Sequence, residues 1–377
     1  MIRPMRLLPG LLIAAAMIAV PVIAPPPVLA ADEAADQTVG DAVAEKYAAL
    51  LERDYVYPEM GKRYADALRA GIEAGRYRTL SGEALGAAID ADVNAVAVDG
   101  HLRLRVPEGA AAAPAVPGAA APATPRPRKP PIEQAGWIAP GIAFVRFNLF
   151  PQDEAVTAEA AKFMADHADA KAIIFDIRTH NGGGLDQMDA IFPWLFAKPT
   201  RLVTMATRAS VDEAGDSPLT GDTALRLVTG DAGMVTREHW ATPNGDKRLR
   251  KAKVYVLTSG ASGSAAEHFA LAMKHTGRGT LVGAPTAGAN HFGRGEDLGG
   301  GYAAFIPVGR TYDPATGKDW EGAGVQPDIA VPPAEALIRV LTDLGVTAAE
   351  AKALSDAHMP RWPMERRKPR VQPPSTP

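Results

Sequence analysis

A mixed α/β core behind a small helical segment is the fold class this sequence predicts, on three observations. Residues 39–98 carry apolar side chains at helical spacing, residues from 136 onward alternate strand-like apolar runs with helical stretches, and a Pro/Ala-rich segment separates the two.

In the first segment Val43, Tyr47, Leu50, Leu51 and Asp54 mark one helical face, and Leu85, Ile89, Val93 and Val96 another. Pro58 and residues 79–82 punctuate the pattern into about three helices. Residues 107–131 are almost wholly Ala, Pro, Gly and basic residues, the composition of a flexible or polyproline-like linker. Beyond it, residues 142–147, 172–177, 202–207, 254–257, 280–283 and 302–307 read as strands, with 329–331 a further candidate. Residues 155–167, 185–196 and 265–275 read as helices, and the polar stretch 208–250 as a surface insertion. Helices over 334–344 and 347–358 close the chain, and the tail from Pro360, rich in Pro and Arg, reads as disordered. The expected division is therefore 1–30 leader, 31–106 helical domain, 107–132 linker, 133–345 α/β core, and 346–377 final helix and tail.

The leader has Arg3 and Arg6, an apolar run over 7–22, and Val28-Leu29-Ala30 as a small-residue cleavage site, the pattern of a secretory signal peptide cut after Ala30. Gly10, Pro21 and the prolines at 25–27 leave less than the roughly 20 apolar residues that a membrane span needs, so no stable anchor is expected once the leader is cut. With no cysteine, neither a lipoprotein anchor nor a disulfide framework is possible. A periplasmic or secreted protein is the expectation. Losing Arg3 and Arg6 with no acid takes the net charge from −3 to −5, which argues against nucleic acid as a partner. A content of 47% hydrophobic residues suits a soluble globular protein with ample core.

The chemistry centres on residues 258–267, TSGASGSAAE, between a buried-type strand and an alanine-rich helix. Ser264 falls at the helix N-terminus, where unpaired N–H groups and the positive dipole end favour an alkoxide or a tetrahedral oxyanion. Ser264 and Glu267 also match a capping box. The Gly-x-Ser-x-Gly elbow is absent, and Glu267 stands where a Ser-x-x-Lys dyad would need lysine. Three more clusters bear on this serine. A strand runs into Arg178-Thr179-His180-Asn181-Gly182-Gly183-Gly184, whose glycine amides can form an oxyanion hole; Gln187 rules out a dinucleotide fingerprint. Asp99-Gly100-His101 supplies a histidine able to act as general base, with a carboxylate able to orient it. Trp320-Glu321-Gly322-Ala323-Gly324-Val325-Gln326-Pro327-Asp328 forms a tight loop carrying Glu321.

Together these motifs resemble the serine peptidase superfamily of tail-specific (C-terminal processing) proteases, the tricorn protease core and the interphotoreceptor retinoid-binding protein repeats. The resemblance spans residues 39–331 and is strongest at 172–184, 253–288 and 320–331. It implies a crotonase/ClpP-like spiral of β and α elements for the core, and a nucleophile at Ser264 within Ser264-Ala265-Ala266-Glu267. Tail-specific proteases place a lysine base 25 residues after the serine, following Thr-x-Gly. Here Thr286-Ala287-Gly288 leads to Ala289, which can neither accept nor donate a proton. The linker is also shorter than the roughly 50 residues of a minimal domain, so the PDZ module of those proteases is not expected.

The tricorn-like branch draws a histidine from the helical part, the place His101 occupies. In that pattern a serine links the histidine to a glutamate; Gly100 replaces the serine and Glu321 matches the glutamate, so Glu321 or Asp99 orients His101. The oxyanion donors implied are the N–H of Ala265 and that of Gly182 or Gly183, with His180 standing in the family's asparagine place. The expected reaction is peptide-bond hydrolysis through an acyl-enzyme. No cofactor or metal is expected, because His180, His268, His275 and His291 show no His-Glu-x-x-His spacing. Two other readings use the same scaffold: a binding module for peptides or hydrophobic ligands, and a small-molecule esterase or amidase.

Overall fold

The computed structural model describes residues 28–107 and 128–365, with side chains from residue 39 onward. Most of the expected leader, the middle of the linker and the end of the tail lie outside the described residues. Helices α1 (Val28–Asp54), α2 (Pro58–Glu73) and α3 (Gly82–Val96) come first, then a short strand β1 (Leu104–Arg105). Next are β2 (Ile132–Ala139), β3 (Ile142–Phe147), α4 (Glu154–Asp166), β4 (Ala172–Asp176), α5 (Asp186–Leu195) and β5 (Thr200–Arg208). A short α6 (Ala209–Glu213) precedes β6 (Leu225–Val228), β7 (Met234–Ala241), β8 (Lys253–Thr258), α7 (Ala265–His275) and β9 (Thr280–Gly283). The chain continues through β10 (His291–Gly299), β11 (Tyr302–Tyr312), β12 (Ile329–Ala330), α8 (Ala336–Asp343) and α9 (Ala348–Ala357). None of these helices is long and apolar enough to cross a membrane.

Two sheets organise the molecule. The first runs β12-β9-β8-β4-β3-β2 and is parallel except for the β2–β3 hairpin. Its central strands are mostly apolar on both faces, because helices cover both sides of the sheet, with charged or polar residues only towards their ends. Phe163, Met188 and Phe269, from α4, α5 and α7, pack with Ile173 and Phe175, while Leu337 and Leu341 of α8 pack with Ile174 on the opposite side. Since β4 and β8 are parallel neighbours, with Asp176 paired to Leu257, their carboxyl ends emerge together. The glycine loop after β4 and the serine loop after β8 therefore meet at one edge, the usual place for a site in an open α/β sheet.

The second sheet, β1-β11-β5-β7-β6 with β10 on β11, is antiparallel. Helices α1–α3 lie on it: Tyr47, Leu51, Leu68 and Ile89 share one core with Ile306 and Val308. Each such fully buried side chain contributes about 1.5–3 kcal/mol. The helical segment and the second sheet thus share a core, and the pairing Leu104↔Ala304 fixes the turn carrying Asp99 and His101 against β11.

Three expectations change. The stretch 208–250 is not merely a surface insertion, because it contributes β6 and β7, and β7 pairs with β5 over most of its length. Strand β2 starts at Ile132, inside the expected linker. Strand β10, HFGRGEDLG, lacks the alternation that marks a strand because it buries only His291 and Leu298.

Candidate active site

Ser264 occupies the N-cap of α7 with φ 56° and ψ −117°. It is the one non-glycine residue among the described residues with positive φ. Such a conformation costs on the order of 1–3 kcal/mol and persists only where its surroundings enforce it. The enforcement is visible. The fully buried Glu267 carboxylate accepts the Ser264 N–H at 2.8 Å, and also the Thr286 hydroxyl, the Gly288 N–H and the Ala289 N–H at 2.6, 2.7 and 2.8 Å. Burial raises the Glu267 pKa even against these four donors.

The neighbouring hydroxyls are already committed. Thr258 donates to the Ala284 carbonyl, Ser259 to that of Arg178 and Ser262 to that of Ile177, at 2.8, 2.5 and 2.8 Å. The last two bonds stitch the serine loop onto the segment entering the glycine loop, and together the three leave Ser264 as the hydroxyl of the run that donates to no carbonyl.

The glycine loop approaches closely. A Cβ at Gly182 would lie 2.8 Å from Ser264 Cβ, so only glycine fits there. Gly182 donates its N–H to His180 Nδ1 at 3.0 Å. Burial, with Lys129 adding, lowers the His180 pKa to about 3 and keeps that acceptor neutral. The Phe150–Gly183 bridge uses the Phe150 and Gly184 amides, bonded to Gly182 O and Phe150 O, so the Gly183 N–H turns away from Phe150. The Ala265 N–H is one of the orphan donors of the α7 N-terminus. Beneath the loop, Asp176 binds Arg178 at 2.9 and 2.7 Å and Arg146 at 2.8 Å, all fully buried. Burial works against the Asp176 carboxylate, but the two guanidiniums outweigh it and hold the pKa at about 2.

Asp99 and His101 sit in the turn after α3. Asp99 Oδ1 accepts the His101 N–H at 2.8 Å and lies 3.6 Å from His101 Nδ1. Asp99 Oδ2 accepts from Tyr55 Oη at 2.8 Å and contacts His291 Nδ1 at 2.7 Å. Burial opposes the Asp99 charge, yet the two histidines hold its pKa far below the ordinary range. For His291, burial lowers the pKa, but Asp99 and Glu321 outweigh it and the result is raised. Glu321 Oε2 accepts the Asn290 N–H at 2.7 Å and lies 3.9 Å from His291 Nδ1.

The structure therefore brings His101, Asp99 and Glu321 into one cluster, and separately brings Ser264, Ala265, Gly182 and Gly183 together. Residues 286–290 join the two groups, because Gly288 and Ala289 bind Glu267 while Asn290 binds Glu321. His101 and Ser264 are not hydrogen-bonded to each other. His291, which spacing alone marked as a scattered histidine, is a member of the cluster; the one signal that could have found it is its place two residues beyond Ala289. Tyr55 was also missed, since nothing in its helical pattern distinguishes it from a core residue.

Peptidase family S41 matches residues 141–331, just over half of the chain. The fold is similar to that of a photosystem II D1 C-terminal processing protease, at 16% identity and TM-score 0.52, covering 82% of this chain and 99% of that one. It is also similar to a candidate peptidase from Parabacteroides merdae, at 16% identity and TM-score 0.55, covering 82% of this chain and 96% of that one. With the family matched over the whole α/β segment that carries Ser264 and the glycine loop, the chain belongs to peptidase family S41.

Proposed function

We propose that the protein is an exported serine peptidase with Ser264 as nucleophile and His101 as general base. The observation that carries this reading is the strained Ser264 at the N-terminus of α7, pressed against Gly182; the Ser264 hydroxyl shares the capping box with Glu267 as an acceptor and donates to no carbonyl. Export rests on the basic and apolar leader ending at Ala30.

His101 takes the Ser264 proton, and the alkoxide attacks the peptide carbonyl carbon to form a tetrahedral oxyanion. The N–H groups of Ala265 and Gly183 hold that oxygen; Gly182 is the weaker candidate because its N–H already binds His180. Collapse breaks the C–N bond, His101 returns its proton to the leaving amine, and water hydrolyses the acyl-enzyme. Asp99 and Glu321 stabilise the imidazolium, with Asp99 nearer in the resting arrangement. Catalytic hydrogen bonds of free enzymes are commonly long and tighten on substrate, which accommodates the absence of a resting His101–Ser264 bond.

Ser264→Ala should abolish labelling by a fluorophosphonate probe with little change in thermal midpoint, and His101→Ala should abolish peptide turnover. Labelling that persists in Ser264→Ala would sink the assignment of the nucleophile.

A further inference from the structure

Asp99, His101, His291 and Glu321 each bring one nitrogen or oxygen to a common centre where these atoms all lie within 4.8 Å of one another. They come from three stretches of chain: the turn after α3, the start of β10 and the loop before β12. Asp99 and His291 are nearly fully buried, with side chains 3% and 4% exposed. One ring nitrogen here, His101 Nδ1, is buried and lacks a hydrogen-bond partner. Buried polar atoms are rarely left so, and an unpaired one calls for an explanation.

We propose that this cluster is a binding site for a zinc-class divalent cation, and that the cation switches the peptidase off by holding His101 through Nδ1.

The donor set fits that chemistry. Two imidazoles and two carboxylates suit zinc, whereas calcium and magnesium prefer oxygen alone. A tetrahedral ion with bonds of about 2.1 Å needs ligand atoms about 3.4 Å apart. His101 Nδ1 to Asp99 Oδ1 is 3.6 Å and His291 Nδ1 to Glu321 Oε2 is 3.9 Å, so small side-chain rotations close the shell. The shortest contact, 2.7 Å between His291 Nδ1 and Asp99 Oδ2, is the one that opens as the ion displaces the proton shared there.

The consequence for catalysis follows from the tautomers of imidazole. A neutral ring has one lone-pair nitrogen and one N–H. With Nδ1 on the metal, the proton resides on Nε2, and His101 can no longer accept the proton of Ser264. This step rests on His101 being the base; the site itself does not.

The test uses the mature protein stripped with a chelator. Equilibrium dialysis against zinc should show one ion retained per chain, in wild type and equally in Ser264→Ala, and not displaced by excess calcium. His291→Asn and Glu321→Gln should each weaken retention by about tenfold or more. Zinc should suppress fluorophosphonate labelling of wild type by at least tenfold, reversibly on chelation, while whatever labelling His291→Asn retains should be insensitive to zinc. No stoichiometric retention by wild type, or equal retention in both variants, overturns the site. Retention without loss of labelling overturns the switch. Absence of labelling in every buffer overturns the Ser264 reading, and the site would still stand or fall on dialysis alone.

Discussion

Substituting alanine for Gly182 tests how tightly the nucleophile is framed. The new Cβ would stand 2.8 Å from Ser264 Cβ and 3.2 Å from its Oγ. Carbon pairs settle at about 3.5–4.0 Å, so roughly an ångström must be found. The Ser264 N–H is pinned by Glu267 at 2.8 Å, and the Gly182 carbonyl by the Phe150 N–H at 3.0 Å. The softest adjustment is therefore a shift of the Ser264 side chain. A displacement of about 1 Å at the reacting atom costs on the order of a hundredfold in rate. Alanine at φ 117° adds backbone strain of about 1–3 kcal/mol, less than the stability of a typical domain. The fluorophosphonate labelling rate of Gly182→Ala should thus fall about a hundredfold while a cooperative thermal transition remains. Labelling at the wild-type rate by a folded Gly182→Ala protein would refute the reasoning. Gly183→Ala is the wrong variant for this purpose, since its Cβ would meet the Phe150 carbonyl at 1.9 Å and the backbone itself would have to move.

Two further outcomes concern stability. Asp176→Asn leaves the buried Arg178 guanidinium without a counter-charge and Arg146 with only Glu133 at 3.9 Å, and urea denaturation should show a loss of about 3–5 kcal/mol. Acid should unfold the protein from well above the carboxylate range. His180 is held down to about 3 and His268 well below its ordinary value, in both cases first by burial. The unfolded chain therefore binds protons that the folded one refuses, and stability falls as pH drops below about 6.5, by up to tenfold in the folding equilibrium per pH unit per histidine. For His180 this continues down to about pH 3. Urea midpoints measured between pH 7 and pH 5 should show that slope, and His180→Asn should flatten it; an unchanged slope would count against His180 as a contributor.

The parts of this fold legible in sequence are those where local pattern and burial agree. Residues 172–176 and 253–258 sit between two helical layers, so their apolar runs mark them as strands without help from partners. Strand β10 escapes notice because only His291 and Leu298 are buried, seven positions apart, and three of its nine residues are glycine. The site divides in the same way. Ser264 and Gly182 were legible because helix starts and tight turns are local events. The Asp99–His291 contact joins residues 192 positions apart, and no spacing rule reaches that far. Glu267 was half legible: its bond to the Ser264 N–H is the glutamate half of the capping box, but its other three donors come from residues 286–289.

Those three donors also bear on why the base should come from another part of the chain. Glu267 Oε2 is shared by the N–H of Ser264 and the N–H of Ala289, each at 2.8 Å, so residue 289 stands one carboxylate oxygen away from the nucleophile's backbone. A lysine at 289 would be well placed to serve the serine, and the alanine there has nothing to titrate. On the proposed mechanism, proton transfer then comes from outside the 286–290 segment. The next backbone amide along it, that of Asn290, binds Glu321, and the next side chain, His291, binds Asp99, which in turn holds the His101 turn. The segment that carries alanine at 289 is thus the one that meets the His101 turn, through His291 and Asp99.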